Sequence, residues 1–133
     1  MPTNILALPL AQLDILTGNN EDWLESVMYV IDDGTASPTQ QIDLRGIKFE
    51  MEVRRSPPLS EVIISGSTDD GSLLVGTAPD YGYLMINVVF DRMKNQEATA
   101  YVGDIVALAD GYRRVAIQFN LTIFEGITRN ESS

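Results

Sequence analysis

Residues 42–55, IDLRGIKFEMEVRR, decide the fold. From Ile47 the stretch alternates without a break. Ile47, Phe49, Met51 and Val53 fall on one side, and Lys48, Glu50, Glu52 and Arg54 on the other. Successive side chains of a strand point to opposite faces, so this is a half-buried β-strand with one dry and one wet face. A helix would scatter the four apolar residues around its circumference. Asp43 and Gly46 supply a turn before the strand. Ser56-Pro57-Pro58 stops it, because consecutive prolines remove two ladder donors.

Working outward, the same period of two recurs along the chain. Residues 12–17 read as a strand in which Leu13 and Ile15 alternate with Asp14 and Leu16, followed by Gly18-Asn19-Asn20, residue types that tolerate positive φ in a turn. Residues 23–31 read as a strand apolar on both faces: Trp23, Val27, Tyr29 and Ile31 on one, Leu24, Met28 and Val30 on the other. That pattern predicts cover on both sides. A loop from Asp32-Asp33-Gly34 through Ser37-Pro38 to Gln41 precedes the central strand. Beyond it come a strand at 61–67 with Gly66 marking a bulge, a tight Thr68-Asp69-Asp70-Gly71 turn, a strand at 72–75, a loop at 77–82, and a strand at 83–89 with Leu84, Ile86 and Val88 inward. Residues 91–98 break the pattern and read as one or two helical turns with Asp91 as N-cap. A strand at 101–109 leads into Ala109-Asp110-Gly111-Tyr112, where Asp-Gly suits a type I′ hairpin. The return strand, 113–124, is read with Val115, Ile117, Phe119, Leu121 and Ile123 inward and Arg114, Gln118, Asn120 and Thr122 outward. Residues 126–133 form a polar tail.

The chain has 133 residues, enough for one domain with a real core. Its net charge is −10, from 19 acids against 9 bases. That argues against nucleic acid and against anionic lipid as partners, since both need a basic surface. Histidine and cysteine are both absent. Disulfides and histidine-dependent catalytic triads are therefore excluded, and zinc, haem and iron–sulfur centres lose their usual ligands, so no cofactor and no metal are expected. The apolar N-terminal run ILALPLAQL lacks a basic flank, contains Pro9 and is too short to span a bilayer, so no export or membrane signal is read in it.

No residue constellation singles out chemistry. Asp32-Asp33-Gly34 and Asp69-Asp70-Gly71 lack the alternating oxygen ligands and downstream acid of a calcium loop and read as solvated turns. A paired-carboxylate hydrolase would need a distinguished pair, and none stands out. Tyr81-Gly82-Tyr83 and Trp23 could build an aromatic platform for sugar, with Asp80, Tyr81 and Tyr83 as the loop positions that would touch a ligand; the competing reading puts Trp23 and Tyr83 at the ends of the core. Arg54-Arg55 and Arg113-Arg114 read as strand residues opposing acids across the sheet. The apolar residues Ile5, Leu6, Leu8 and Leu10, which read as a short strand interrupted by Pro9 or as an arm laid on another subunit, are the candidate interface.

Seven or eight strands with turns between them mean an all-β sandwich or barrel. Glu97 to Gly103 resembles the immunoglobulin-type corner, with an acid four residues before Tyr101 and Gly103 where an antibody domain has its second cysteine. The expected architecture is an immunoglobulin-like Greek-key β-sandwich with one short helix. Its divisions are read as an N-terminal arm and first strand at 1–20, the sandwich at 21–129 and a tail at 130–133.

Over residues 23–129 the motifs resemble the small β-sandwich domains of tailed-phage and prophage virion proteins. The shared theme is an Asp-Leu-x-Gly turn (Asp43-Leu44-Arg45-Gly46), an alternating strand, STDDGSLLV, a strand carrying Tyr101, Asp104 and Ile105, an Asp-Gly hairpin and a closing Ile127-Thr128-Arg129. Arg45 departs from the family's usual Thr, and Val102-Gly103 from its second Tyr. The resemblance implies a non-enzymatic structural component of a tail, baseplate or fibre, located in the virion after assembly in the bacterial host cytoplasm. It implies a homo-oligomer that also contacts other virion proteins. The alternative is a carbohydrate- or receptor-binding module whose partner is a glycan or host receptor.

Overall fold

Alternating patterns leave each strand with one apolar face, and two sheets stacked face to face bury all of those faces at once. The computed structural model describes residues 4–31, 34–36, 38–55 and 61–128. Among them are eight strands: β1 (Ala11–Gly18), β2 (Trp23–Met28), β3 (Lys48–Arg55), β4 (Val62–Ser67), β5 (Leu73–Val75), β6 (Tyr83–Val88), β7 (Ala100–Ala109) and β8 (Tyr112–Phe124), with a short helix α1 (Phe90–Met93). They form a five-stranded sheet, β1-β8-β7-β3-β4, facing a three-stranded sheet, β2-β6-β5. The chain is an all-β sandwich with the crossovers of an immunoglobulin-like Greek key. Asp32, Asp33, Ser37, the Ser56-Pro57-Pro58 stop, Arg129 and the 130–133 tail lie outside the described residues.

The central strand is as read: Phe49, Met51 and Val53 are fully buried, while Lys48 and Glu52 are exposed. The hairpin after β7 is also as read. Asp110 and Gly111 both take positive φ, 54° and 81°, the requirement of a type I′ turn. Tyr101 is buried, and its hydroxyl donates to the Glu97 carbonyl at 2.7 Å, which makes it the corner residue the Glu97–Gly103 spacing implied.

Several expectations are corrected. Residues 5–10 form a 3-10 turn, Ile5–Ala7, and not a strand. Ile5 and Leu8 are buried in the protein's own core. Those two side chains therefore find cover within the chain, while Leu6 and Leu10 stay exposed, and residues 11–18 form a strand of the same sandwich. β1 completes it by pairing in parallel with β8, Ala11 opposite Ile117 through Gly18 opposite Phe124. The strand read at 23–31 ends at Met28; beyond it come an isolated bridge from Val30 to Gln41 and single backbone bonds such as Tyr29 N–H to the Gly82 carbonyl at 2.9 Å.

Val115 fits the inward alternation of its strand, yet it is exposed. Ile105 pairs with Ile117 and Val106 with Val115, so Ala116 is an extra residue. A bulge of this kind reverses the side-chain alternation on its strand. It also leaves a main-chain carbonyl without a ladder partner, and the buried Tyr29 hydroxyl donates to Ala116 O at 2.7 Å. The bond ties the chain just past β2 to the opposite sheet. Gly66 does not mark a bulge; a Cβ there would lie 2.4 Å from the Ser72 Cβ, so glycine is needed for close approach. Asp91 is not the N-cap of α1. Val89 holds that position without a side-chain bond, and Asp22, distant in sequence, accepts from the Phe90 N–H at 2.6 Å.

The Gly18-Asn19-Asn20 turn does not use positive φ. Asn19 is a buried hub instead. Its amide donates to Gln96 O (3.0 Å) and Glu125 Oε2 (2.9 Å), and its Oδ1 accepts from Gly126 N (3.0 Å). One side chain thus joins the β1–β2 turn, the segment after α1 and the end of β8.

Candidate functional site

The loop at 77–82 is braced by the segment that leads into the central strand. Gln41 donates to Asp80 Oδ1 at 3.3 Å and accepts from Gly82 N at 2.8 Å. Arg45 lies 3.9 Å over the Tyr81 ring, within cation–π range. Asp43 grips the same guanidinium with both oxygens, Arg45 Nε donating to each at 3.0 Å. These hydrogen bonds hold the Asp43 carboxyl below the usual carboxylate range. Tyr81 is therefore engaged by its own chain.

The three aromatics of the imagined sugar platform are not brought together. Trp23 is buried in the core, edge-on to Phe119 with ring centroids 5.7 Å apart. Tyr81 stacks under Arg45. Tyr83 pairs with Met28 on the outer face of the small sheet, so it does not fill the core either. Of the N-terminal candidates, Ile5 and Leu8 are interior, while Leu6 and Leu10 remain exposed.

The outer face of β2-β6-β5 is the apolar surface. Register places Met28 beside Tyr83, Met85 between Ser26 and Leu74, and Leu24 beside Asn87. Leu24 is 64% exposed, and Met28 and Leu74 are 42% exposed each. The two-faced apolar pattern at 23–31 thus reports a real feature, but the protein covers only the Trp23 side. Leu74 and Met85 join this surface through strand register, which residues 72–75 and 83–89 do not reveal separately.

The outer face of β1-β8-β7-β3-β4 is polar. One row across it reads Gln12, Gln118, Asp104, Glu52, Ser65, and the next Asp14, Asn120, Val102, Arg54. These rows, Ser65 apart, line an open groove of about 780 Å³. Most of its groups are already engaged: Asn120 donates to Asp14 at 3.0 Å and Arg54 to Glu52 at 3.0 Å. Asp104 faces Glu52 directly across the strands. Burial, and then the Glu52 charge, push its carboxyl up, partly offset by Arg113 and Arg54. Gly103 shapes the floor, since a Cβ there would meet Phe119 Cζ at 2.4 Å.

The basic pairs behave unevenly. Arg54 and Arg55 pair with Glu52 and Glu97. Arg114, turned by the bulge, donates to the Leu6 carbonyl at 3.1 Å. The Asp69-Asp70-Gly71 segment is a self-satisfied turn, as read: Asp70 Oδ1 accepts from Ser72 N at 2.8 Å and Ser67 N at 3.1 Å.

The fold and its surfaces define the class, an immunoglobulin-like β-sandwich with one polar and one apolar outer face. No family model matches the chain, and no curated protein matches it. Among solved structures it is similar to CopC from Methylosinus trichosporium OB3b, at 11% identity over 89% of this chain and 88% of that one, with a TM-score of 0.44. It is also similar to the three N-terminal domains of the bacteriophage RB49 Highly Immunogenic Outer Capsid protein (Hoc). That match has 12% identity over 87% of this chain and 37% of that one, with a TM-score of 0.24. Among the described residues no helix is long and apolar enough to cross a membrane.

Proposed function

We propose that the chain is a non-enzymatic structural component of a tailed-phage or prophage particle. In this reading it is an oligomeric adaptor or a fibre- or baseplate-associated protein that assembles with copies of itself and with other virion proteins. One observation carries the reading: the exposed apolar face of Leu24, Met28 and Leu74, flanked by the half-buried Tyr83 and Met85. Contiguous apolar surface of this kind is where soluble proteins meet partners. Burying a side chain such as Leu24 there contributes about 1.5–3 kcal/mol. The virion-type turn and strand motifs over 23–129 support the same reading. The test is co-purification: the full chain should band with intact particles and stay with them through high salt, because an apolar contact is not screened. Recovery only in the soluble fraction of an induced lysogen would contradict it.

A second reading, a glycan- or receptor-binding module, is favoured by the amide- and carboxylate-lined groove on the large sheet. Planar polar side chains of this type suit sugar hydroxyls. Binding to a glycan array that Gln118→Ala abolishes would favour it over the first.

A further inference from the structure

Four strand edges close the two sheets, and each edge is a row of backbone donors and acceptors that can template another strand. Three of them carry a device that discourages pairing. β4 has a register shift against β3, at Val53/Arg54. β5 is three residues long. β2 turns Glu25 toward the sandwich interior, on the same side as Trp23, and Glu21 and Asp22 flank its start. Irregularity, shortness and inward-pointing charge are the usual ways of blunting an edge.

β1 carries none of these along 11–16; only at its end does Glu21 Oε1 accept from the Gly18 N–H at 3.2 Å and the Thr17 hydroxyl at 2.9 Å. Its eight residues run in unbroken register with β8. It contains no proline and no lysine, and Asp14 is its only charge. Among the described residues no strand lies beyond it. Leu16, pointing outward, is 68% exposed, and Leu10 just before the strand is 50% exposed. In a chain of net charge −10, contact between copies is least opposed by repulsion where acids are sparse.

We propose that β1 is the pairing edge of a two-fold dimer, in which β1 of one copy lies antiparallel to β1 of a second and joins two five-stranded sheets into one. A register centred on Ile15 keeps inner faces aligned and sets Asp14 opposite the partner's Leu16, so the two Asp14 carboxylates do not face each other. The same patch serves both copies, which closes the assembly at two. The inference rests on the reading of the chain as an assembly protein and assigns its self-contact to a different surface from the apolar face of the small sheet.

The experiment is sedimentation over a concentration series for the full chain, Leu16→Lys and Leu24→Lys, with amide hydrogen exchange on the same samples. The full chain should sediment as a dimer, with amides 11–17 slower to exchange than in dilute monomer. Leu16→Lys should raise the dissociation constant by about tenfold or more and leave the melting temperature of dilute monomer unchanged, while Leu24→Lys should leave the dimer intact. A dimer broken by Leu24→Lys and not by Leu16→Lys would overturn the edge assignment while leaving the assembly reading standing. Exchange at 11–17 that is equally fast at all concentrations would overturn it whatever the variants do, and particle co-purification would then decide the assembly reading by itself.

Discussion

The two outer faces of the sandwich come from strands of one domain and meet solvent in opposite ways. On the five-stranded sheet Gln12, Asp14, Gln118, Asn120, Glu52 and Arg54 satisfy much of each other's hydrogen-bonding and charge, as the Asn120–Asp14 and Arg54–Glu52 contacts show. On the three-stranded sheet Leu24, Met28 and Leu74 stand open. A face that pairs with itself gains little from a protein partner, because its polar groups would have to be desolvated and matched again. An apolar face has nothing to lose but its contact with water. The difference leaves the large sheet's face largely self-satisfied and the small sheet's apolar side chains open to solvent.

The largest expected effect breaks the large sheet from its floor. Gly103→Ala puts a Cβ against the Phe119 ring and 2.9 Å from the Glu52 carbonyl. Overpacking of this kind should cost about 1–3 kcal/mol, read by chemical denaturation. A stability unchanged from the parent would mean that Phe119 does not close the groove floor.

Next comes the bond that couples the sheets. Tyr29→Phe removes the donor to the bulge carbonyl of Ala116 and should cost about 1–3 kcal/mol. Burial pushes the Tyr29 hydroxyl up to about 12. Its folded pKa lies above the unfolded one, so its contribution is complete below about pH 10 and is lost as pH climbs toward 12. The parent's melting temperature should fall over that window, and the Phe variant's should fall less. Parallel alkaline profiles would contradict the assignment.

How much of this was legible follows from the range of the interactions. Period two is a local signal, so 47–53, 83–88 and 117–123 could be read directly, as could Tyr101 four residues from Glu97. The Ala116 bulge could not be read, because Val115 fits the alternation and only its pairing with Val106 reveals the slip. Asn19 reads as a turn former, yet its partners Gln96, Glu125 and Gly126 are far along the chain. The fate of Ile5 and Leu8 was equally hidden, since apolar residues near a chain end say nothing of what covers them. Of the apolar face, Leu24 and Met28 showed in the doubled pattern of their strand, but Leu74 and Met85 needed the register. The groove had no sequence signature at all, since its rows are assembled from four strands.

A smaller effect sharpens the comparison from the polar side. Asp104→Asn removes a carboxylate held opposite Glu52, and like charges directly opposite are unfavourable, so stability at neutral pH should rise by about 0.2–1 kcal/mol. Because the Asp104 pKa is raised in the fold, its unfavourable contribution sets in as pH rises through the carboxylate range. The variant and the parent should therefore converge in acid. A variant less stable than the parent at pH 7 would show that Asp104 is usefully paired. The smallest effect on folding belongs to the apolar face: Leu24→Glu should change stability by less than about 0.5 kcal/mol while reducing incorporation into particles. A large loss of stability would mean that Leu24 is covered within the chain.

The proposed docking of the small sheet is tested most directly by oxidative footprinting of its methionines, comparing free protein with assembled particles. Met28 stands on the exposed face, while Met51 and Met93 are buried and serve as internal references. The account predicts that Met28 oxidises readily in the free chain and is strongly protected in the particle, with Met85 following it and Met51 and Met93 slow in both. Met28 reacting at the same rate in particle and free protein would contradict it.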